Sequence, residues 1–210
     1  MGFSSTTVHP PIDRFVTPPT HTPTHAQMAS TRANRATPAR LVAVSKTKPP
    51  ALIEEAYRAG QRTFGENYIQ EIVEKAPQLP ADIHWHFIGH IQSNKVKLLV
   101  TSVPGLSFVE SVDSEKLARK LNQAVADAGR DPLKVLVQVN TSGEESKNGV
   151  QPGEEVVQLS KFILDQCPHL VFRGLMTIGM PDYTSRPENF TCLDTCRQQV
   201  AAATNTVRGF

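Results

Sequence analysis

The sequence predicts an α/β fold built on a parallel sheet, and three observations carry that reading. From residue 41 onward, short apolar runs alternate with stretches of helical period. The links between them are short, as right-handed strand–helix–strand crossovers require. A polar cluster follows most of the apolar runs, at the strand end where open α/β sheets and βα barrels place their ligands. At 210 residues the chain suits one large domain.

Residues 1–40 differ in kind from the rest. Ser, Thr, Pro and His crowd them, and six prolines interrupt any helical or strand period. Such a stretch cannot bury enough apolar area to offset the entropy of ordering, so a disordered tail is expected ahead of a domain at 41–210. Its Arg-bearing, acid-poor composition also suits a mitochondrial transit peptide, although the prolines oppose the amphipathic helix that such a peptide needs. Met28 stands as an alternative start.

Residues 41–48 form the first expected strand: Leu41, Val42, Ala43 and Val44 run into Lys46, and Pro49-Pro50 stops them. Residues 50–60 read as a helix with Leu52, Ile53, Ala56 and Tyr57 on one face and Gly60 as its stop. A second strand at 62–65 precedes a helix at 68–76, whose inward residues are Ile69, Ile72 and Val73. The third strand covers 84–89 and its helix 93–100, and the fourth strand covers 106–110. Asp113 is expected to cap a helix at 114–129 with Leu117, Leu121, Ala124 and Val125 as its core stripe. A fifth strand at 134–140, a helix at 153–167, a sixth strand at 171–178 and a last helix at about 187–204 complete the series. Six such units fit a doubly wound sheet, and equally a βα barrel lacking strands.

Lys46 is the residue with the most chemistry in its position. Alternation puts Val42, Val44 and Lys46 on one face, so the amine is expected to project from an apolar surface at a strand's carboxyl end. Desolvation there disfavours the ammonium and favours a nucleophilic amine suited to Schiff-base formation. The plainer reading is a strand-end lysine reaching into solvent.

Bulk properties exclude several classes. A formal net charge of +2 gives no electrostatic case for nucleic acid or an anionic membrane. No stretch approaches the roughly 18 apolar residues of a bilayer span. Cys167, Cys192 and Cys196 are too few and too irregular for a disulfide framework, and no second pair or nearby histidine completes a metal site, so free thiols are expected. The acceptor triplets at Asn140 and Asn189 follow no secretory signal and read as unmodified.

The polar clusters are Gly65-Glu66-Asn67 after the second strand, residues 89–95 after the third, Asn140-Thr141-Ser142-Gly143 after the fifth and Met176-Thr177-Ile178-Gly179 at the sixth. Singly, each is ordinary turn chemistry. Together with Ala43-Val44-Ser45-Lys46-Thr47-Lys48, Phe64-Gly65-Glu66-Asn67-Tyr68, Trp85-His86-Phe87-Ile88-Gly89, Gln92-Ser93-Asn94-Lys95, Val137-Gln138-Val139-Asn140 with Lys147 and Gly149, and Arg173-Gly174-Leu175-Met176, they form a pattern. In these segments the chain resembles the pyridoxal phosphate homeostasis proteins, the alanine racemase N-terminal-like, proline-synthetase co-transcribed group. The likeness covers about residues 41–205, in order and at family spacing.

The resemblance implies a TIM-like βα barrel of the alanine racemase N-terminal type, with about six of its eight βα units in this chain. It implies pyridoxal 5′-phosphate held as a Schiff base on Lys46, with Asn67, Met176 and His86 or His90 lining the cofactor ring. Glu66 would orient polar groups at the mouth or cap the next helix. The implied role is cofactor carriage in vitamin B6 and amino-acid balance, in the cytoplasm or the mitochondrion, without turnover of its own and with PLP-dependent enzymes as partners. The family pattern continues past Phe210 into two further strands whose turns hold the cofactor phosphate, so no phosphate-holding residue is assignable here and a shortened product is expected. A monomer with open sheet edges prone to association would follow. A racemase would need a base on each face of the substrate carbon, and Tyr57, Tyr68 and Tyr183 occupy positions that suggest packing. A lysine aldolase would need an acid–base partner and a phosphate site, and an inactive fragment is the remaining alternative.

Overall fold

The computed structural model describes residues 39–144, 147–178 and 187–205. The chain divides after Arg40, and the unit considered below is Leu41–Phe210. Of the expected tail, only Ala39 and Arg40 are described, both exposed and outside regular structure; residues 1–38, Gly179 and Tyr183 lie outside the described residues.

Strands and helices alternate through the unit. They are β1 (Ala43–Val44), α1 (Pro50–Arg58), β2 (Thr63–Glu66), α2 (Ile69–Lys75), β3 (His84–Phe87), α3 (Val96–Ser102), β4 (Leu106–Val112), α4 (Glu115–Asp127), β5 (Leu133–Gln138), α5 (Glu154–Gln166), β6 (Leu170–Met176) and α6 (Pro187–Thr204). Every strand pair is parallel and the order in the sheet is β1 to β6 without reversal. A doubly wound sheet would reverse its order at a switch point. The monotonic order is that of a βα barrel wall, with β1 and β6 at the edges among the described residues.

Successive helices pack on one another, α2 on α3, α3 on α4, α4 on α5 and α5 on α6, and form one layer over one face of the sheet. Strand alternation supplies that face: Phe64, Trp85, Phe87, Val109, Val135, Val137 and Phe172 are all buried. Each such side chain contributes about 1.5–3 kcal/mol by leaving water. Their alternation partners Phe108, Glu110, Lys134, Leu136 and Val171 line the opposite, concave face and are half-buried.

Three local expectations change. The first strand is two residues, because Lys48 N–H donates to the Ser45 carbonyl at 3.1 Å and folds residues 45–48 into a turn. The cap of α4 is Ser114, whose Oγ accepts from Leu117 N–H at 3.3 Å, while the Asp113 carboxylate accepts from the Ser114 hydroxyl. An N-cap side chain must reach the third helical amide, and the extended backbone of Ser114 gives it that reach. The sixth strand ends at Met176, short of the expected 178. Gly60 does end α1, at φ +101°, with its N–H donated to the Tyr57 carbonyl.

Candidate functional site

Lys46 lies in the turn after β1, second of its four residues. Thr47 follows at φ +61°, a conformation usually reserved for glycine at the third position of such a turn. Three charged side chains hold the two residues that flank Lys46. Lys75 Nζ donates to the Ser45 carbonyl at 3.0 Å, to Glu66 Oε1 at 2.9 Å and to Glu71 Oε2 at 2.6 Å. Ser45 Oγ donates to the same Glu66 oxygen at 2.7 Å, and Thr47 N–H donates to Glu71 Oε2 at 2.8 Å. Glu66 is fully buried and Lys75 nearly so. Burial pulls the Lys75 ammonium down, but its hydrogen bonds to Glu71 and Glu66 outweigh this and leave it raised. The Lys75 hydrogen bond holds Glu71 below the usual carboxylate value.

The Lys46 side chain itself is exposed, and Val44 beside it is 51% exposed. The expectation of an amine against apolar walls is therefore not met among the described residues. Among the described residues β1 is an edge strand that pairs with β2 alone.

On the concave face, register aligns Val44, Gly65, His86, Phe108, Lys134 and Val171 in one row across the sheet. Gly65 in that row is closed over by its neighbours: a Cβ there would come 3.1 Å from Val42 Cγ1 and 3.2 Å from Ile88 Cδ1. His86 is 4% exposed, stacks on Phe108 with ring centroids 4.6 Å apart, and pairs through Nδ1 with Glu110 Oε1. Its Nε2 is buried and has no hydrogen-bond partner among the described residues. Just past β2, by the same parity as Gly65, lies Asn67, whose Oδ1 is likewise buried and unpartnered. Unpaired buried polar atoms are costly and uncommon, and these two, unlike the equally unpartnered Glu66 Oε2 on the helix side, lie toward the strand ends where such sheets place ligands.

The other expected residues sit as follows. His90 lies in the loop after β3, half exposed, with Nδ1 3.7 Å from Asp113 Oδ2. Met176 is half-buried at the end of β6, where its carbonyl accepts from Val139 N–H. Asn140 folds its own loop, donating to the Glu144 carbonyl at 2.9 Å and accepting from Gly143 N–H at 3.1 Å. A small cavity of about 160 Å³ adjoins it, lined by Gln138, Asn140, Asn148 and Ile178 among others. The larger cavity, about 750 Å³, opens at the opposite end of the strands beside Asp82, His84, Ser107 and Arg130. Arg130 spends its guanidinium there on the carbonyls of Val100, Val103, Pro104 and Leu106, so this end serves the scaffold.

Glu66 neither caps α2, whose N-cap Tyr68 makes no side-chain cap, nor reaches the mouth; it points under the helices. Sequence alone does not single out Glu71, Lys75 or Glu110, and it shows Ser45 only as part of the Ala43–Lys48 segment. One signal was present: Lys75 falls three residues after Ile72 on the inward stripe of α2, where a charge needs a buried partner. Among the described residues no cluster of His, Cys, Asp and Glu could hold a metal ion, and no helix is long and apolar enough to cross a membrane.

Comparison with known proteins adds the following. The family model for the alanine racemase N-terminal domain matches residues 25–208. The pyridoxal phosphate homeostasis protein of Bos taurus is 54% identical over 162 residues, covering 73% of this chain and 59% of its own length. That of Homo sapiens is 52% identical over 162 residues, covering 73% of this chain and 58% of its own. The chain thus spans less than two thirds of these curated relatives. Among solved structures, PipY of Synechococcus elongatus with PLP bound is 33% identical with a TM-score of 0.70, over 86% of this chain and 83% of that one. An alanine racemase of Clostridium difficile, 16% identical with a TM-score of 0.60 over 80% of this chain and 44% of that one, shares the fold.

Proposed function

The chain belongs to the alanine racemase N-terminal domain family, and from that premise we propose that it binds pyridoxal 5′-phosphate as a Schiff base on Lys46. Its role on this reading is vitamin B6 homeostasis: it carries the cofactor without turnover of its own and passes it to PLP-dependent enzymes in the cytoplasm or the mitochondrion. The relatives named as homeostasis proteins and the PLP-bound PipY support it.

One observation in this chain carries the proposal. Two buried polar atoms without partners among the described residues, Asn67 Oδ1 and His86 Nε2, belong to the sheet face that Val44 of β1 shares, two residues before Lys46. When bound, pyridoxal 5′-phosphate supplies an aldehyde that condenses reversibly with a primary amine, releasing water, and a conjugated ring that absorbs visible light. Lys46, exposed at the strand end, would be the amine that meets such an aldehyde. His86, oriented by Glu110 and by its stack on Phe108, would offer Nε2 to a ring substituent, and Asn67 would offer Oδ1 to a donor. Met176 and His90 stand at the rim of the same end.

The test is borohydride trapping. Protein mixed with pyridoxal 5′-phosphate is expected to gain a visible band and, after reduction, a stable label on the peptide containing Lys46. Equal labelling of the Lys46→Ala variant would defeat the assignment. Racemisation of alanine or serine above background would replace the carrier reading with an enzymatic one.

A further inference from the structure

Among the described residues the Lys46 side chain makes no hydrogen bond or ion pair, yet both of its neighbours are tied down from below. Ser45 is held twice, through its carbonyl by Lys75 Nζ at 3.0 Å and through its hydroxyl by Glu66 at 2.7 Å. Thr47 is held by its amide, which donates to Glu71 Oε2 at 2.8 Å. That same carboxylate oxygen accepts from Lys75 at 2.6 Å, so the two anchors are one connected unit. The unit is built into the core side of the fold, since Glu66 is fully buried and Lys75 only 7% exposed.

The conformation being held is one the sequence resists. Thr47 is β-branched and sits at φ +61°, in the left-handed region that such residues avoid. A strained residue persists only where its surroundings over-determine it, and such residues gather at functional positions. Here the surroundings are the Ser45–Lys48 turn bond at 3.1 Å and the Glu71 carboxylate. With this turn closed, Lys46 is held at the carboxyl end of β1. With it open, two residues of an edge strand lose their fixed direction.

We propose that Glu71, anchored by Lys75, is a positioning residue for Lys46: it holds the Thr47 amide and so fixes the turn that presents the amine to its aldehyde. This deepens the cofactor reading and rests on it. Glu71 is not a catalytic residue, because it touches the backbone beside Lys46 and not the reacting nitrogen.

The experiment compares wild type, Glu71→Ala, Thr47→Gly and the double variant Glu71→Ala/Thr47→Gly, each saturated with pyridoxal 5′-phosphate, reduced with borohydride and mapped by peptide. The reading is label on Lys46 relative to label on all other lysines, with the melting temperature of unloaded protein measured alongside. Glu71→Ala leaves the Lys75–Glu66 pair in place and is expected to fold, with relative Lys46 labelling down by about tenfold. Thr47→Gly alone keeps the label. Glycine takes a positive φ without strain, so the double variant is expected to recover at least half of it. A lowered melting temperature with unchanged relative labelling would reduce Glu71 to a structural role and overturn the proposal. So would a double variant no better than Glu71→Ala. Label on wild type and equally on Glu71→Ala removes this inference alone, whereas no label on Lys46 in wild type removes the cofactor reading and this inference with it.

Discussion

Lys75 and Glu66 meet beneath the end of β1, Nζ 2.9 Å from Oε1, with the carboxylate fully buried and the lysine side chain 9% exposed. Removing one member of a buried pair leaves the other desolvated and alone, which costs about 3–5 kcal/mol. Lys75→Met is expected to lower stability by that amount in urea denaturation. Replacing both, as Glu66→Leu/Lys75→Met, restores much of it, because no buried charge then remains. If the single and double variants lose equally, the pair is not what stabilises this corner.

Stability should follow pH in a direction set by Glu71 and Lys75. The Lys75 hydrogen bond, aided by the Thr47 amide and opposed by slight desolvation, lowers the folded value of Glu71 from 4.5. A lowered carboxylate value contributes stability that is present above 4.5 and lost as pH falls through the folded value. For Lys75, burial pulls down but Glu71 and Glu66 pull up further, so its folded value lies above 10.5. That contribution is present below 10.5 and lost as pH rises through the folded value. Urea midpoints should form a plateau between the two limits, and Lys75→Met should flatten both shoulders. Glu71 is partly exposed, so salt should weaken the acid shoulder. A wild-type profile that Lys75→Met leaves unchanged would sink this account.

How far the fold could be read from sequence depended on whether a signal was local. Leu117, Leu121 and Val125 in α4 announce their buried face by period alone, and the apolar run in β5 announces a strand whose Val135 and Val137 are buried, as are those three. The choice between a wound sheet and a barrel wall was not local, because it needs the strand order. Lys46 was legible as a lysine closing an apolar strand. The unit that holds it was not, since Glu66 looks like a turn residue until register puts it on the helix side of β2. The short β1 was hidden for a related reason: the turn that ends it uses Thr47 at a positive φ, where sequence rules look for glycine. His86 was a visible candidate, but its partner Glu110 lies beyond a register shift between β3 and β4 that period counting cannot place.

Gly89 is required by close approach, not by its dihedral angles. A Cβ there would lie 2.0 Å from the Asn67 carbonyl oxygen and 2.7 Å from its Cα, both backbone atoms that cannot rotate away. The Gly89 carbonyl is also fixed from the other side by Ser111 Oγ at 2.6 Å. Gly89→Ala must therefore displace the segment carrying Asn67. Overpacking of this kind costs about 1–3 kcal/mol. The expected result is a lower melting temperature together with weaker uptake of pyridoxal 5′-phosphate, followed by absorbance. A variant as stable as wild type would show that the loops after β2 and β3 separate freely.

Asn67 separates a ligand-facing role from a structural one. Its Oδ1 is buried without a partner among the described residues, so the unloaded protein bears the cost of desolvating it, about 1–3 kcal/mol. Asn67→Leu keeps similar bulk and removes that atom. The unloaded variant is expected to be at least as stable as wild type, the reverse of most buried polar-to-apolar changes. A ligand that donates to Oδ1 loses a hydrogen bond in the variant, so affinity for pyridoxal 5′-phosphate should fall by about tenfold. Thermal melting with and without cofactor reads both quantities on one sample, as the stability without it and the increment with it. A variant less stable when unloaded, with the increment intact, would place Asn67 in the scaffold and take it out of the cofactor site.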